Sequence, residues 1–182
     1  MAPLLGLVVT RSLAMSALAS YLPTYLSAEG TSFWLSGASL TVYQGAASLG
    51  VLVGGSLSDR VGRRMVMVGS TLLTPLALFA FLGLNGIARL LTLIAVGFVV
   101  VTFDPAAMAD IQESATQNRA LASSIYLSLS FFIRSVAVVV VGALADWIGL
   151  RWAFVVSAVV FLLGTPLALL LPAPPSAAQT SS

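Results

Sequence analysis

The sequence predicts an all-α integral membrane protein of six transmembrane helices, arranged as two inverted three-helix repeats. Three observations lead there. Apolar residues make up 59% of the 182-residue chain and charged residues only 8%, against roughly 25% charged in a soluble domain, so most of its solvent must be lipid. Six apolar stretches, near 3–26, 33–57, 65–84, 90–110, 120–143 and 152–171, each reach the roughly 20 residues that a helix needs to cross the hydrocarbon core. The second half of the chain also repeats the first. The runs are continuous rather than alternating, which excludes a barrel, whose strands would place a polar residue at every second position.

Each gap between stretches carries a turn or charge signal. Residues 27–31 read Ser-Ala-Glu-Gly-Thr, and 85–89 read Asn-Gly-Ile-Ala-Arg. The gap at 58–64 holds Arg60, Arg63 and Arg64, and that at 111–119 ends on Arg119. The repeat is clearest around these turns. Gly55, Leu57, Asp59, Gly62 and Arg64 recur as Gly142, Leu144, Asp146, Gly149 and Arg151, at a constant offset of 87. The same offset carries the first three helices onto the last three, giving repeats of about 1–87 and 88–171. Because three is odd, the second unit enters the bilayer from the opposite side. The tail 172–182, rich in Pro, Ala and Ser, is expected to be disordered.

Arginine content orients the chain. The first copy of the turn carries Arg60 and Arg63 where the second has Trp147 and Leu150. Arg is favoured on the cytoplasmic side, and Trp at either interface. This places 58–64 and 111–119 inside, Glu29, Arg89, Asp146 and Arg151 outside, and both termini and the tail in the cytoplasm of a cell whose inner or plasma membrane holds the chain.

Composition also removes whole classes of function. The chain has no Cys and no His, so disulfides, thiolate nucleophiles, imidazole bases and the usual zinc sites are excluded, and no cofactor or metal is expected. The basic balance comes from eight Arg against six acidic residues. These Arg are scattered or sit at the ends of apolar runs, which fits a lipid surface better than nucleic acid. There is no Gly-x-x-x-x-Gly-Lys-Ser/Thr loop for ATP. An enzyme is not expected.

The stretch Gly55-x-x-x-Asp59-Arg60-x-Gly62-Arg63-Arg64 resembles the signature loop of the major facilitator superfamily, which joins the second and third helices of each six-helix half. The residues have physical reasons of their own. Gly55 would let a neighbouring helix approach, and Gly62 permits a turn with positive φ. Asp59 can accept from free backbone donors or pair with an Arg, and the Arg residues can hold lipid phosphates. In the superfamily this loop takes part in the conformational switch. Gln112-Glu113 and Asn118-Arg119-Ala-Leu-Ala-Ser123-Ser124 resemble the start of the fifth helix in C-terminal halves, and the overall texture resembles bacterial drug- and fosmidomycin-resistance-type exporters. The resemblance implies half of a secondary active transporter that moves a small solute, a drug or a metabolite, by alternating access, with protons as the candidate coupling ion and antiport as one mode. It also implies a second six-helix half, supplied by a missing N-terminal half or by a second copy. The alternative is a non-transporting membrane subunit, or a truncated fragment, that pairs with another membrane chain.

Three charges fall inside the spans. Each costs about 2.5–3.5 kcal/mol at the bilayer centre on insertion scales, so each calls for a partner or a cavity. Arg11 lies roughly 12 Å from the cytoplasmic end of the first helix and Asp104 roughly 9 Å from that of the fourth, at 1.5 Å per residue. The matching depths make them a candidate pair, either structural or a proton-coupling device in which protonation of Asp104 breaks the pair. Pro105 should weaken the fourth helix beside it. Ser123, Tyr126, Ser130 and Arg134 share one face of the fifth helix; this stripe either lines a cavity, with Arg134 meeting the substrate, or makes interhelical hydrogen bonds. Tyr43 and Gln44 are further lining candidates. Ala46, Gly50 and Gly54 form a helix-packing face. The third and sixth helices, poor in polar groups, are expected to face lipid, with kinks at Pro75 and Pro166.

Overall fold

A computed structural model describes residues 2–114 and 118–169. The described residues form seven helices: α1 (Ala2–Ala28), α2 (Phe33–Val61), α3 (Arg63–Gly83), α4 (Gly86–Val101), α5 (Phe103–Ser114), α6 (Arg119–Ile148) and α7 (Leu150–Leu169). The expected fourth span is thus divided into α4 and α5. Four segments are long and apolar enough to cross a membrane: Phe33–Val61, Arg63–Gly83, Gly86–Glu113 and Arg119–Ile148, with Leu150–Pro166 a shorter apolar helix. The tail 172–182 lies outside the described residues.

The turns explain where helices stop. Gly62 ends α2 at φ +98°, its N–H bonded to Ser58 O at 3.1 Å, and Gly149 ends α6 at φ +86°, its N–H bonded to Ala145 O at 3.0 Å. A side chain is strained at such φ, so glycine is what lets each chain turn at once into the next helix. The two glycines stand 87 residues apart, and the helices flanking them run to matching lengths.

In lipid, helices gain little from burying apolar surface against one another, so close packing must hold them. The α2–α4 crossing shows how. A Cβ on Gly54 would lie 2.8 Å from Thr102 Cα, one on Gly97 would lie 2.7 Å from Tyr43 O, and one on Gly50 would collide with Phe98 O. Gly55, expected to admit a neighbouring helix, has nothing within 4 Å of the same position; the close approach belongs to the residue before it. The central core joins Leu18, Leu22 and Tyr25 of α1 to Phe81 of α3, Val96 of α4 and Phe154 of α7. A second cluster, at the other end, joins Leu7 and Val8 to Met67, Phe103, Ala107 and Tyr126.

Exposure is uneven among the helices. In their most apolar windows half of α3 is buried, but only 28% of α2 and 11% of α6. α7 buries Phe154, Ala158 and Phe161 almost completely. α3 and α7 each pack one face into the bundle and leave an apolar face exposed, with Leu72, Leu73 and Leu76 on the first and Leu162 and Leu163 on the second, and α2 and α6 are more open still. On the packed faces Ser70, Thr71, Thr74 and Ser157 are buried with their hydroxyls bonded to carbonyls of their own helices.

Candidate functional site

The site begins at the break in the fourth span. Pro105 has no N–H, and its ring crowds the carbonyl four residues earlier, that of Val101. α4 ends at Val101, and Thr102 turns both its N–H (3.3 Å) and its hydroxyl (2.8 Å) onto Val99 O. Arg11 of α1 enters this break. Its Nε and Nη2 donate to Val100 O at 3.1 and 2.5 Å. Its Nη1 and Nη2 donate to the two Asp104 carboxylate oxygens at 2.6 and 2.8 Å. The guanidinium also lies over the Phe103 ring, 4.8 Å from its centre. Arg11 is 4% exposed, whereas the Asp104 side chain is 39% exposed. A two-pronged, charge-assisted pair of this kind fixes both groups and cancels the buried charge.

Asp104 faces a cavity of about 340 Å³. Tyr126, Ser130 and Arg134 of α6 line its other polar wall, and Val51, Met108, Leu127 and Phe131 supply apolar surface. Three of the four residues in the sequence stripe thus share one cavity with the acid of the intramembrane pair. Ser123 is not on its wall; its hydroxyl and that of Ser130 are buried without a close hydrogen-bond partner among the described residues. α6 is held in place by α1: Ser16 donates to Arg134 O at 3.3 Å and Tyr21 to Val138 O at 3.1 Å. The Arg134 side chain itself contacts Met15 Sδ at 3.5 Å and makes no ion pair among the described residues.

The two candidates on α2 part company. Tyr43 is 1% exposed inside the core against α4, so it is a packing residue in this structure and not a cavity wall. Gln44, next to it, is exposed. In the α2–α3 turn Asp59 and Arg60 are exposed, and no hydrogen bond or ion pair ties Asp59 to another described residue. The tie is made by Arg63, which donates to Ala109 O at 3.3 Å and forms an ion pair with Glu113, joining the start of α3 to α5. Arg64 is half-buried next to it.

A second polar cluster was not anticipated. Arg89 pairs with Glu29, donates to Tyr25 Oη at 3.0 Å and to Phe81 O at 3.3 Å, and stacks on both rings at 5.4 and 5.3 Å. Tyr25 donates to Glu29 at 2.7 Å. Burial works to raise the Glu29 carboxyl, but the hydrogen bonds from Tyr25 and Arg89 and the nearby charges hold it below the usual carboxylate range. The cluster ties the end of α1 to α3 and α4. Its only sequence signal was that Glu29 and Arg89 fall on the same side of the membrane.

Among the described residues, an all-helical bundle with helices long and apolar enough to cross a membrane and a polar cavity among them points to a multi-pass membrane protein. The model of the Major Facilitator Superfamily matches residues 4–182, and the chain belongs to that superfamily; it is a transporter-family protein and not an enzyme. It is similar to the Fosmidomycin resistance protein of Escherichia coli (strain K12), 28% identical over 166 residues that cover 88% of this chain and 40% of that protein. Its fold is similar to the crystal structure of a peptide transporter POT in complex with alafosfalin, with a TM-score of 0.80 and 19% identity over 92% of this chain and 37% of that one. The chain therefore spans about two fifths of the length of these relatives.

Proposed function

We propose that this chain acts as the C-terminal six-helix half of a secondary transporter that moves a small solute, a drug or a metabolite, by alternating access. The observation that carries this reading is the cavity that gathers Asp104, Tyr126, Ser130 and Arg134 on the open side of the bundle. In this reading Arg134, Ser130 and Tyr126 touch solute, Gln44 faces it from α2, and Tyr43 supports α2 from behind. Arg11 and Asp104 form the coupling pair: a proton on Asp104 releases Arg11 and loosens the joint between α4 and α5. The turn from Gly55 through Asp59, Arg60, Gly62, Arg63 and Arg64 is the switch, with the Arg63–Glu113 tie as the contact to be made and broken.

The arrangement is that of six spans in two inverted repeats, about 1–87 and 88–171, with both termini inside and the chain in the inner or plasma membrane. The equal spacing and like φ of Gly62 and Gly149 support it. The exposed α2 and α6 support closure against a second six-helix half. The test is transport in proteoliposomes containing this chain and its complementary half. Arg134→Ala should abolish solute movement while leaving insertion intact, and Asp104→Asn should leave movement that no longer responds to a pH gradient. Unchanged transport in the first variant removes Arg134 from the site; unchanged coupling in the second makes the aspartate structural.

A further inference from the structure

The two intramembrane arginines differ in how their charge is met. Arg11 spends its donors on Asp104 and Val100 O, so the Asp104 carboxylate, though it faces the cavity, is already neutralised. Arg134 lines the same cavity and, among the described residues, has only a thioether at 3.5 Å beside its guanidinium. Across the three charged groups the site carries one uncompensated positive charge, at a depth where such a charge is costly. One and two turns along the same helix face, Ser130 and Tyr126 line the cavity; the Ser130 hydroxyl is buried at its wall, and each hydroxyl is able to donate to an oxygen. The remaining wall is apolar.

From this we infer that the solute is an organic anion: a compact oxyacid head group, carboxylate or phosphate-like, on an apolar body. Arg134 takes the head group with its planar fork of donors, Ser130 and Tyr126 bond its remaining oxygens, and Met108, Leu127 and Phe131 cover the body. The volume of about 340 Å³ lies at the small end of ligand pockets, which run from roughly 300 to 1,000 Å³, so the part of the solute held by this chain is no larger than a metabolite. The proposal rests on the solute-site reading above and adds the sign of the charge.

Benzoate, benzyl alcohol and benzylammonium share a ring and differ in charge, so their binding to the chain in lipid nanodiscs, with its complementary half, isolates that term. The native protein should prefer benzoate over the other two by about tenfold, the scale of one hydrogen bond to a charged group. Arg134→Gln should remove the preference, and Arg134→Lys should keep its order. A preference for benzylammonium, or the same anion preference in Arg134→Gln, overturns the charge assignment and leaves the solute site standing. No binding of any of the three overturns the solute site itself. If Arg134→Gln instead weakens association with the complementary half and leaves the charge preference alone, Arg134 serves a carboxylate across that interface and the inference fails.

Discussion

Arg11 and Arg134 lie in one bundle of apolar helices, and the structure treats them in opposite ways. On the side where α1 meets α4 and α5, every donor group of Arg11 finds an oxygen, the helix break that frees Val100 O is filled, and glycines bring α2 and α4 into contact. On the side walled by α6, Arg134 has only the Met15 thioether beside it among the described residues, Gln44 of α2 is exposed, and so are large side chains such as Leu49, Leu52, Phe131 and Phe132. The first side is finished by its own sequence. The second is left open, and the proposed solute site lies on it.

Removing the acid from the finished side should have the largest effect. Asp104→Ala leaves Arg11 buried with only Val100 O and a ring face, and breaking a buried pair in this way costs about 3–5 kcal/mol. Arg11→Ala should cost less, because the Asp104 side chain is 39% exposed and can turn to water. Unfolding in mixed detergent, measured for both variants, checks the order; equal losses would mean that Asp104 is as enclosed as Arg11. Two adjacent glycines give the next comparison. Gly54→Ala drives a Cβ into Thr102 Cα and should cost about 1–3 kcal/mol. Gly55→Ala meets open space and should change the stability of the chain by no more than about 0.5 kcal/mol. The same unfolding assay separates them, and a loss of transport in Gly55→Ala without a loss of stability would put the partner half on that face.

The smallest effect is expected at the Glu29–Tyr25–Arg89 cluster. Its folded carboxyl is held below the usual range, so it contributes stability above the ordinary carboxylate value, and this is lost as pH falls through the depressed one. The melting temperature should therefore drop on acidification below the usual carboxylate range, and Glu29→Gln should shrink that drop while leaving the neutral-pH limb nearly flat.

How much of this could be read beforehand follows from how each feature is encoded. The break near Pro105 was legible because it is a local backbone rule, and the Arg11–Asp104 pair because two rare charges sat at one depth. The α2–α4 packing face was legible from Ala46, Gly50 and Gly54 at one spacing. Helix phase was harder. Tyr43 and Gln44 are neighbours, as are Gly54 and Gly55, and an apolar helix gives little signal for which of two adjacent residues turns inward. The ties of Arg63 to Glu113 and of Arg89 to Tyr25 and Phe81 depend on how far a long side chain reaches across a finished bundle. Which faces of α3 and α7 turn inward was not legible, because hydroxyls bonded within their own helix carry no sign of the face they occupy.

The absence of cysteine makes one measurement unusually clean. Leu127→Cys and Val139→Cys each place a single thiol on α6, the first on the cavity wall at a position 44% exposed and the second at a position 70% exposed on its apolar surface. With the chain in its membrane, a charged maleimide that does not enter lipid should label Leu127→Cys and leave Val139→Cys untouched, and Gln44→Cys should follow Leu127→Cys. Equal protection of all three would mean that the open side of the bundle meets lipid and not a watery solute path, and would contradict the account.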